Sequence, residues 1–404
     1  MKCERIEFNG FRNMEHTTVD FSDGINVLWG KNAQGKSNIL EGIYYFARGR
    51  SFRGAKDREM IRFGDSFSRV TATTKRDGAT HSTELEIILP SDPREKKKVY
   101  RNGAKVSGIS ELIGGFRAVL FCPAHLSIVD GSPKVRRTFL DIAISQLSKE
   151  YMSCLANYNR LLLQRTAALK GAASGETYIP QSLFETYAEQ MAMCGTKVAS
   201  YRYDYMSMLS EEMKVLFRSM TKGAETPSLS YTTHAADLAG GKISGCGDED
   251  EEKGEMEASV GAYELGKTVF SPDVLYRRLT ENTDKEIRAG ATLWGIHKDD
   301  IRIKLNAKDA KLYASQGQKR SLALSMKLAE GTLSHRIGGE SPVVLLDDVL
   351  SELDSDRRAF VLNCFSDRQI IVTSCEPGLF DSVTDEVRLI EVDKGKVSVV
   401  NRES

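Results

Sequence analysis

A chain of 404 residues exceeds what one hydrophobic core commonly serves, so two domains, or one domain with a large insertion, are expected. Its 41% hydrophobic and 28% charged residues exclude a disordered or fibrous chain, and no apolar run approaches the roughly 20 residues that a membrane-spanning helix needs. The 56 basic and 56 acidic residues cancel, which excludes a bulk electrostatic pull on nucleic acid and confines any such surface to local patches.

Charge follows Met1 at once (Lys2, Glu4, Arg5), unlike a secretory leader, so a cytosolic location is expected. Residues 1–30 alternate apolar and polar positions (Cys3, Ile6, Phe8, then Val19 and Phe21) and end on Ile25, Val27 and Leu28, which predicts strands feeding a turn. That turn, Gly30 to Gly35, leads into Ile39, Leu40, Ile43 and Tyr44 at helical spacing. Residues 66–106 read as antiparallel strands with Asn102-Gly103 as a hairpin turn. From Pro133 to Phe217 apolar residues recur every three or four positions, interrupted at Gly171 to Gly175, without the sustained heptads of a coiled coil. Residues 235–260 are poor in large apolar side chains and predict a disordered surface insertion; positions 248–257 hold seven acidic residues against one lysine, a local charge of −6. Val343–Leu346 and Ile370–Val372 are continuous apolar runs of the kind buried in parallel sheets. The expected fold is α/β: a head formed by residues 1–125 and 290–404, with a mainly helical second lobe, 126–289, inserted between. The seven cysteines are scattered without a C-x-x-C pair, which argues for reduced thiols and against a zinc site.

Chemistry concentrates in three places. Gly30, Lys31, Asn32, Ala33, Gln34, Gly35, Lys36 and Ser37 fit G-x-x-x-x-G-K-[ST] between a strand and a helix, the context that pattern requires. There the glycines let backbone N–H groups close on phosphate, the helix N-terminus adds a favourable dipole, Lys36 neutralises the β- and γ-phosphates, and Ser37 ligates Mg²⁺. Asn38, in the first helical turn, joins the binding set. Asp347 and Asp348, ending an apolar strand, give two carboxylates for two roles: Asp347 toward the metal, Asp348 toward the attacking water. Ser315, Gln316, Gly317 and Gln318 stand before a helical pattern; by themselves they are a polar loop with a helix cap.

In this order and spacing, Tyr313 to Gln318 resembles the signature motif of ABC-type ATPases as it occurs in the RecF family, and Ser351-Glu352-Leu353-Asp354 resembles its D-loop. Phe11-Arg12-Asn13, Gly131 to Arg137 with Phe139-Leu140-Asp141, the segment around Leu163-Gln164-Arg165, and Gly295 to Asp300 extend the resemblance over nearly the whole chain. The resemblance implies an ABC-type P-loop ATPase head with an inserted helical domain, and Arg12 and Asn13 near the nucleotide. It implies ATP and Mg²⁺ as cofactors, with Ser315 and Gly317 donating to ATP held by the other subunit of a homodimer. It further implies slow, DNA-dependent hydrolysis, binding to double-stranded DNA and to single-strand/double-strand junctions, and action with RecR and RecO, and indirectly RecA, away from any membrane.

Three departures stand out: Pro123-Ala124-His125 where the family has Pro-Glu, Ile296 where it has proline, and Thr373-Ser374 with no switch histidine. The last argues against a transporter ATPase, and the lack of a heptad arm argues against a chromosome-structural SMC protein. His297 beside Asp299 and Asp300 reads as a hydrogen-bonded structural group. The basic runs Arg48, Arg50, Arg53, Lys56, Arg58, Arg62 and Lys96, Lys97, Lys98, Arg101, Lys105 read either as solvated faces or as phosphate-contacting surface.

Overall fold

A computed structural model describes residues 1–175, 178–221, 223, 225–236, 254–257, 264–376, 380 and 387–400. Most of the acidic insertion, including 237–253, lies outside them. The N-terminal part forms β1 (Lys2–Phe11), β2 (Met14–Asp20), β3 (Ile25–Trp29), α1 (Lys36–Arg48), β4 (Phe67–Lys75), β5 (Thr83–Pro90), β6 (Lys98–Arg101), β7 (Ala104–Lys105) and β8 (Ala118–Phe121). The middle follows with α2 (Ser127–Asp130), α3 (Pro133–Ser145), α4 (Lys149–Ser174), α5 (Gln181–Thr221), β9 (Pro227–Thr233), β10 (Gly254–Glu257), α6 (Pro272–Glu281), α7 (Thr283–Ala289), β11 (Asp300–Leu305), β12 (Lys308–Asp309) and α8 (Ala310–Tyr313). The chain closes with α9 (Gln316–Gly338), β13 (Val343–Leu346), α10 (Ser355–Asn363), β14 (Ile370–Ser374), β15 (Val387–Asp393) and β16 (Lys396–Val400).

Two compact units result, Met1–His125 with Glu330–Ser404, and Leu126–Ala329. Residues 290–329, grouped with the chain ends on the sequence pattern, lie in the middle unit. The cause is a long-range ladder: β11 pairs antiparallel with β9 from Asp300↔Thr232 to Leu305↔Pro227.

The first unit holds two sheets. One is antiparallel, β2-β1-β4-β5-β6-β7. Its last hairpin turns on Asn102 and Gly103, with φ of 49° and 73°, the left-handed pair that a two-residue turn requires. The other runs β16-β15-β3-β14-β13-β8, parallel except for the β15–β16 hairpin. Val343–Leu346 and Ile370–Val372 are fully buried in it, which is why their apolar runs do not alternate. Ile39, Leu40, Ile43 and Phe46 of α1 are also fully buried.

The second unit combines the sheet β10-β9-β11-β12 with the long helices α4 and α5. Gly254–Glu257, inside the stretch predicted to be disordered, pair with Ser230–Thr233 of β9 as a strand. Helix α4 continues through Gly171 and ends at Gly175, whose φ of 70° supplies the left-handed cap. The motif residues of this unit meet in a buried ionic network. Arg136 grips Asp300 with two hydrogen bonds of 2.7 and 2.8 Å, and Arg202 donates to Asp141 at 2.8 Å and to Asp299 at 3.4 Å. Arg165 pairs with Glu286, both fully buried. Such pairs add little net stability, but removing one partner strands the other charge. Their role is to specify one packing.

His297 belongs to this network and not to a reaction centre. Its Nε2–H donates to the Thr292 carbonyl at 3.0 Å, so Nδ1 accepts from the Tyr158 hydroxyl at 3.0 Å. Burial pushes its pKa from 6.5 down to about 4. A depressed folded-state value means that the unfolded chain takes the proton first. His297 therefore contributes stability above pH 6.5 that is lost as pH falls toward 4, whereas Asp299, raised by burial to about 6, acts in the opposite sense. His297→Gln removes only the first contribution. Relative to the parent, the variant should gain about 3 kcal/mol between pH 7 and pH 4, measured by urea unfolding at each pH; a constant difference would show that the ring is not held neutral.

Candidate nucleotide-binding site

The parallel sheet aligns the carboxyl ends of β13, β14 and β3 on one edge, where ligands of open α/β sheets bind. The register sets Leu346 beside Val372 and Val372 beside Val27. Asp347 therefore follows β13 next to Thr373 of β14, and the glycine turn follows β3 on β14's other side.

The turn has the backbone that its sequence implies. Gly30 (φ 147°) lies so close to β15 that a Cβ would stand 2.3 Å from the Val392 carbonyl oxygen, and Gly35 (φ 117°) starts α1 against Asn13. Ala33 also has positive φ, 63°. Asn13 donates through Nδ2 to the Gln34 carbonyl at 2.9 Å and accepts from Asn38 Nδ2 at 2.9 Å. Two amides of the β15–β16 turn close the far side: Gly395 N–H donates to Gln34 O at 2.8 Å and Lys394 N–H to Gln34 Oε1 at 2.7 Å. Lys36, 8% exposed, donates to the Gly30 and Lys31 carbonyls at 2.6 and 2.9 Å.

A pocket of about 180 Å³ lies over this turn, lined by residues 32–38 with Arg53, Asp348, Thr373 and Cys375. Asp347 is buried and its Oδ1 accepts from Thr373 Oγ1 at 3.1 Å. Burial raises its pKa, while the Ser37 hydroxyl, Arg53 and Thr373 pull it back and Asp348 adds to the rise. The hydroxyl of Ser37 and the carboxylate of Asp347 thus meet, a pair of hard oxygen donors that suits Mg²⁺. Among the described residues no group of three or more His, Cys, Asp or Glu could hold a metal, so a cation here would need phosphate oxygens or water to complete its shell. Asp348 is exposed with φ 56°, and its N–H donates to Thr373 Oγ1 at 2.9 Å. One threonine hydroxyl thereby orients both aspartates.

Arg12 differs from the expectation that put it near the nucleotide. It is committed to Glu41 of α1 through Nε (2.9 Å) and Nη2 (2.8 Å) and to the Glu59 carbonyl (2.9 Å), and it does not line the pocket. Sequence reasoning missed three pocket residues. Arg53 was grouped with a basic run, but its Nη1 donates to Asn38 Oδ1 at 2.9 Å. Thr373 stands at the position read only for its lack of a switch histidine, not as a pocket residue. Cys375 lies 2.9 Å from Asn32 Oδ1 and 3.6 Å from Lys36 Nζ.

In the second unit, Ser315 and Gln318 form a reciprocal cap at the start of α9. Gln318 N–H donates to Ser315 Oγ at 3.2 Å, and Ser315 N–H to Gln318 Oε1 at 2.6 Å. Ser315, Gln316 and Gly317 are exposed, and the serine O–H remains able to donate. A Cβ on Gly317 would meet nothing within 4 Å.

The two basic runs converge. Arg50, Lys56, Arg58, Lys96 and Lys97 line one groove of about 1130 Å³ in the first unit. Arg48, Arg62 and Lys98 are held elsewhere, on the Ser51 carbonyl, Glu15 and Glu95. Lys97 is tied to Asp57 at 3.2 Å and to Tyr45 OH at 2.9 Å. Arg50, Lys56, Arg58 and Lys96 are exposed. Among the described residues no helix is long and apolar enough to cross a membrane.

Residues 2–398 match the family model described as the RecF/RecN/SMC N terminal domain. The chain is 34% identical over 399 residues to the DNA replication and repair protein RecF of Shouchella clausii, covering 98% of this chain and 99% of that one. It is 32% identical to that of Clostridium acetobutylicum over the same shares. Among solved structures it resembles the recombination mediator protein RecF-ATP of the RecFOR pathway, with TM-score 0.83, 28% identity, and 99% and 97% of the two chains covered. An SMC head bound to the C-winged helix domain of ScpA, 15% identical with TM-score 0.51 and 99% and 98% covered, shares the fold. The architecture is thus that of an ABC-type ATPase head.

The bridging role of Thr373 can be tested directly. Thr373→Val removes the donor to Asp347 and the acceptor for Asp348 N–H while keeping the shape of the side chain. The expected loss is about 1–3 kcal/mol in urea unfolding, with Thr373→Ser losing less. Equal stability of all three proteins would mean that the aspartates are oriented by something else.

Proposed function

The chain belongs to the RecF family of DNA replication and repair proteins, and on that premise we propose that it is an ATP-dependent DNA-binding protein that works as an ATP-sandwiched homodimer. The observation that carries this reading is the meeting of the glycine turn, Lys36, Ser37 and Asp347 at one sheet edge. Backbone amides of residues 32–37 and the Lys36 ammonium would hold the phosphates of ATP. Ser37 and Asp347 would hold Mg²⁺, which, when bound, neutralises phosphate charge. Arg53 would add a second positive charge at the phosphates. Asp348, exposed beside the pocket, would accept a proton from the attacking water, and its restraint by Thr373 and Ser351 fits slow turnover.

The exposed cap at Ser315 to Gln318 supports a composite site. Its serine hydroxyl and the first amides of α9 would donate to ATP on the other protomer's P-loop, so monomers would be nearly inactive. Duplex or junction DNA would lie along phosphate contacts from Arg50, Lys56, Arg58 and Lys96, without base reading. Cooperation with RecR and RecO, and through them with RecA at single-strand gaps, is part of this proposal; family membership and the RecFOR pathway named for the solved RecF-ATP structure support it.

Ser315→Arg should leave ATP binding to each monomer intact and block ATP-dependent dimerisation, read by sedimentation. Mixed with Lys36→Ala, it should regain part of the hydrolysis, because one composite site in the mixed dimer keeps an intact P-loop and an intact signature. A purified Ser315→Arg protein that dimerises and hydrolyses ATP normally would overturn the composite site. For the groove, the triple variant Lys56→Ala, Arg58→Ala, Lys96→Ala should lower the slope of log K against log salt by about 2–3, near 0.9 for each lost phosphate contact. An unchanged slope would move the DNA to another surface.

A further inference from the structure

The loop between α1 and β4 serves two places at once. Arg53 lines the pocket over the glycine turn, while Arg50, Lys56 and Arg58 line the basic groove. A single buried carboxylate holds that loop. Glu41, 1% exposed, accepts from Arg12 through both oxygens and from the Ser51 hydroxyl through Oε1. Ser51 Oγ in turn accepts the Arg53 N–H at 3.1 Å and the Ala55 N–H at 3.4 Å. Arg12 secures the far end through the Glu59 carbonyl.

A second tie starts in the pocket itself. Gln34 is bonded to Asn13, Asn13 to Asn38, and Asn38 to the Arg53 guanidinium, each at 2.9 Å. On the groove side Lys97 donates to the Gly49 carbonyl at 3.1 Å. Arg53 therefore faces the pocket from a backbone tied to Ser51, and Ser51 is fixed by Glu41. A buried carboxylate saturated by charged and hydroxyl donors tolerates no half-broken state, because each lost donor leaves charge unsatisfied in low dielectric. The same ties hold the stretch that carries the groove cations Lys56 and Arg58.

We infer that Glu41 is a positioning residue that, through Ser51 and Arg12, couples occupancy of the nucleotide pocket to the affinity of the basic groove for a phosphate backbone. The inference rests on the proposed function. It assigns Glu41 no contact with nucleotide or DNA.

The test uses full-length protein with Ser51→Ala and, separately, Glu41→Gln. A fluorescent ATP analogue reports nucleotide affinity, and a labelled duplex oligonucleotide reports DNA affinity with and without ATP. The parent should bind the duplex more tightly with ATP. Both variants should keep analogue affinity and nucleotide-free duplex affinity within about twofold, yet lose about fivefold or more of the ATP-dependent gain, the size at which coupling between sites begins. Both variants should still dimerise with ATP in sedimentation, so that the gain, a ratio within each variant, reports the coupling; loss of the gain together with the dimer would overturn the inference. If the parent shows the gain and both variants keep it, or if all affinities fall together, the inference is overturned alone. A parent with no gain would overturn the proposed function and the inference with it. Should Glu41→Gln fail to fold, Ser51→Ala, which leaves the Arg12 pair in place, decides the matter.

Discussion

The hydrogen bonds between β13, β14 and β3 are the constraint from which the first unit's chemistry follows. All three strands run parallel, so their carboxyl ends share an edge, and the register sets Asp347, Thr373 and the glycine turn side by side. A slip of one residue in β14 would turn Thr373 to the other face and free both aspartates at once. Full burial of Val343–Leu346 and Ile370–Val372 prevents that slip, since it would cost the packing of two strands.

Around this edge the structure spends polar groups on geometry more often than on direct contact with a ligand. Asn13 caps the glycine turn, Thr373 orients two carboxylates, Arg12 anchors a loop through Glu41, and the β15–β16 turn closes on Gln34. The second unit repeats the pattern with Arg136, Arg202 and Arg165, each bound to a carboxylate partner at least partly removed from solvent. Arg136 and Arg165 sit in segments that most resemble the RecF family, and Arg202 grips Asp141 and Asp299 of two others, yet their work here is packing. Charge in a family motif is therefore no guide to solvent-facing chemistry.

Of the two basic runs, four exposed side chains face one groove without committed partners, which reconciles a net charge of zero with a phosphate-contacting surface. Positive charge on a concave wall concentrates an anion more than the same charge scattered over a convex surface. Three carboxylates share the groove: Asp57 and Glu95 are paired with Lys97 and Lys98, and Glu59 accepts from the Lys56 N–H at 2.9 Å.

The sequence by itself determined the glycine turn, the paired aspartates, the buried parallel strands and the Asn102-Gly103 hairpin. Each is written in a local pattern whose backbone or burial requirement admits few residue types. Family membership was likewise legible, because ordered motifs at fixed spacing span the chain. Only tertiary structure decided that residues 290–329 pack with the middle unit, that Arg53 serves the pocket while Arg12 serves Glu41, and that Gly254–Glu257 form a strand. Those outcomes depend on partners tens to hundreds of residues away, and an arginine or an acidic stretch carries no local mark of which partner it will meet. Hydrophobic period fixes what a segment becomes; long-range hydrogen bonds and ion pairs fix where its polar side chains are used.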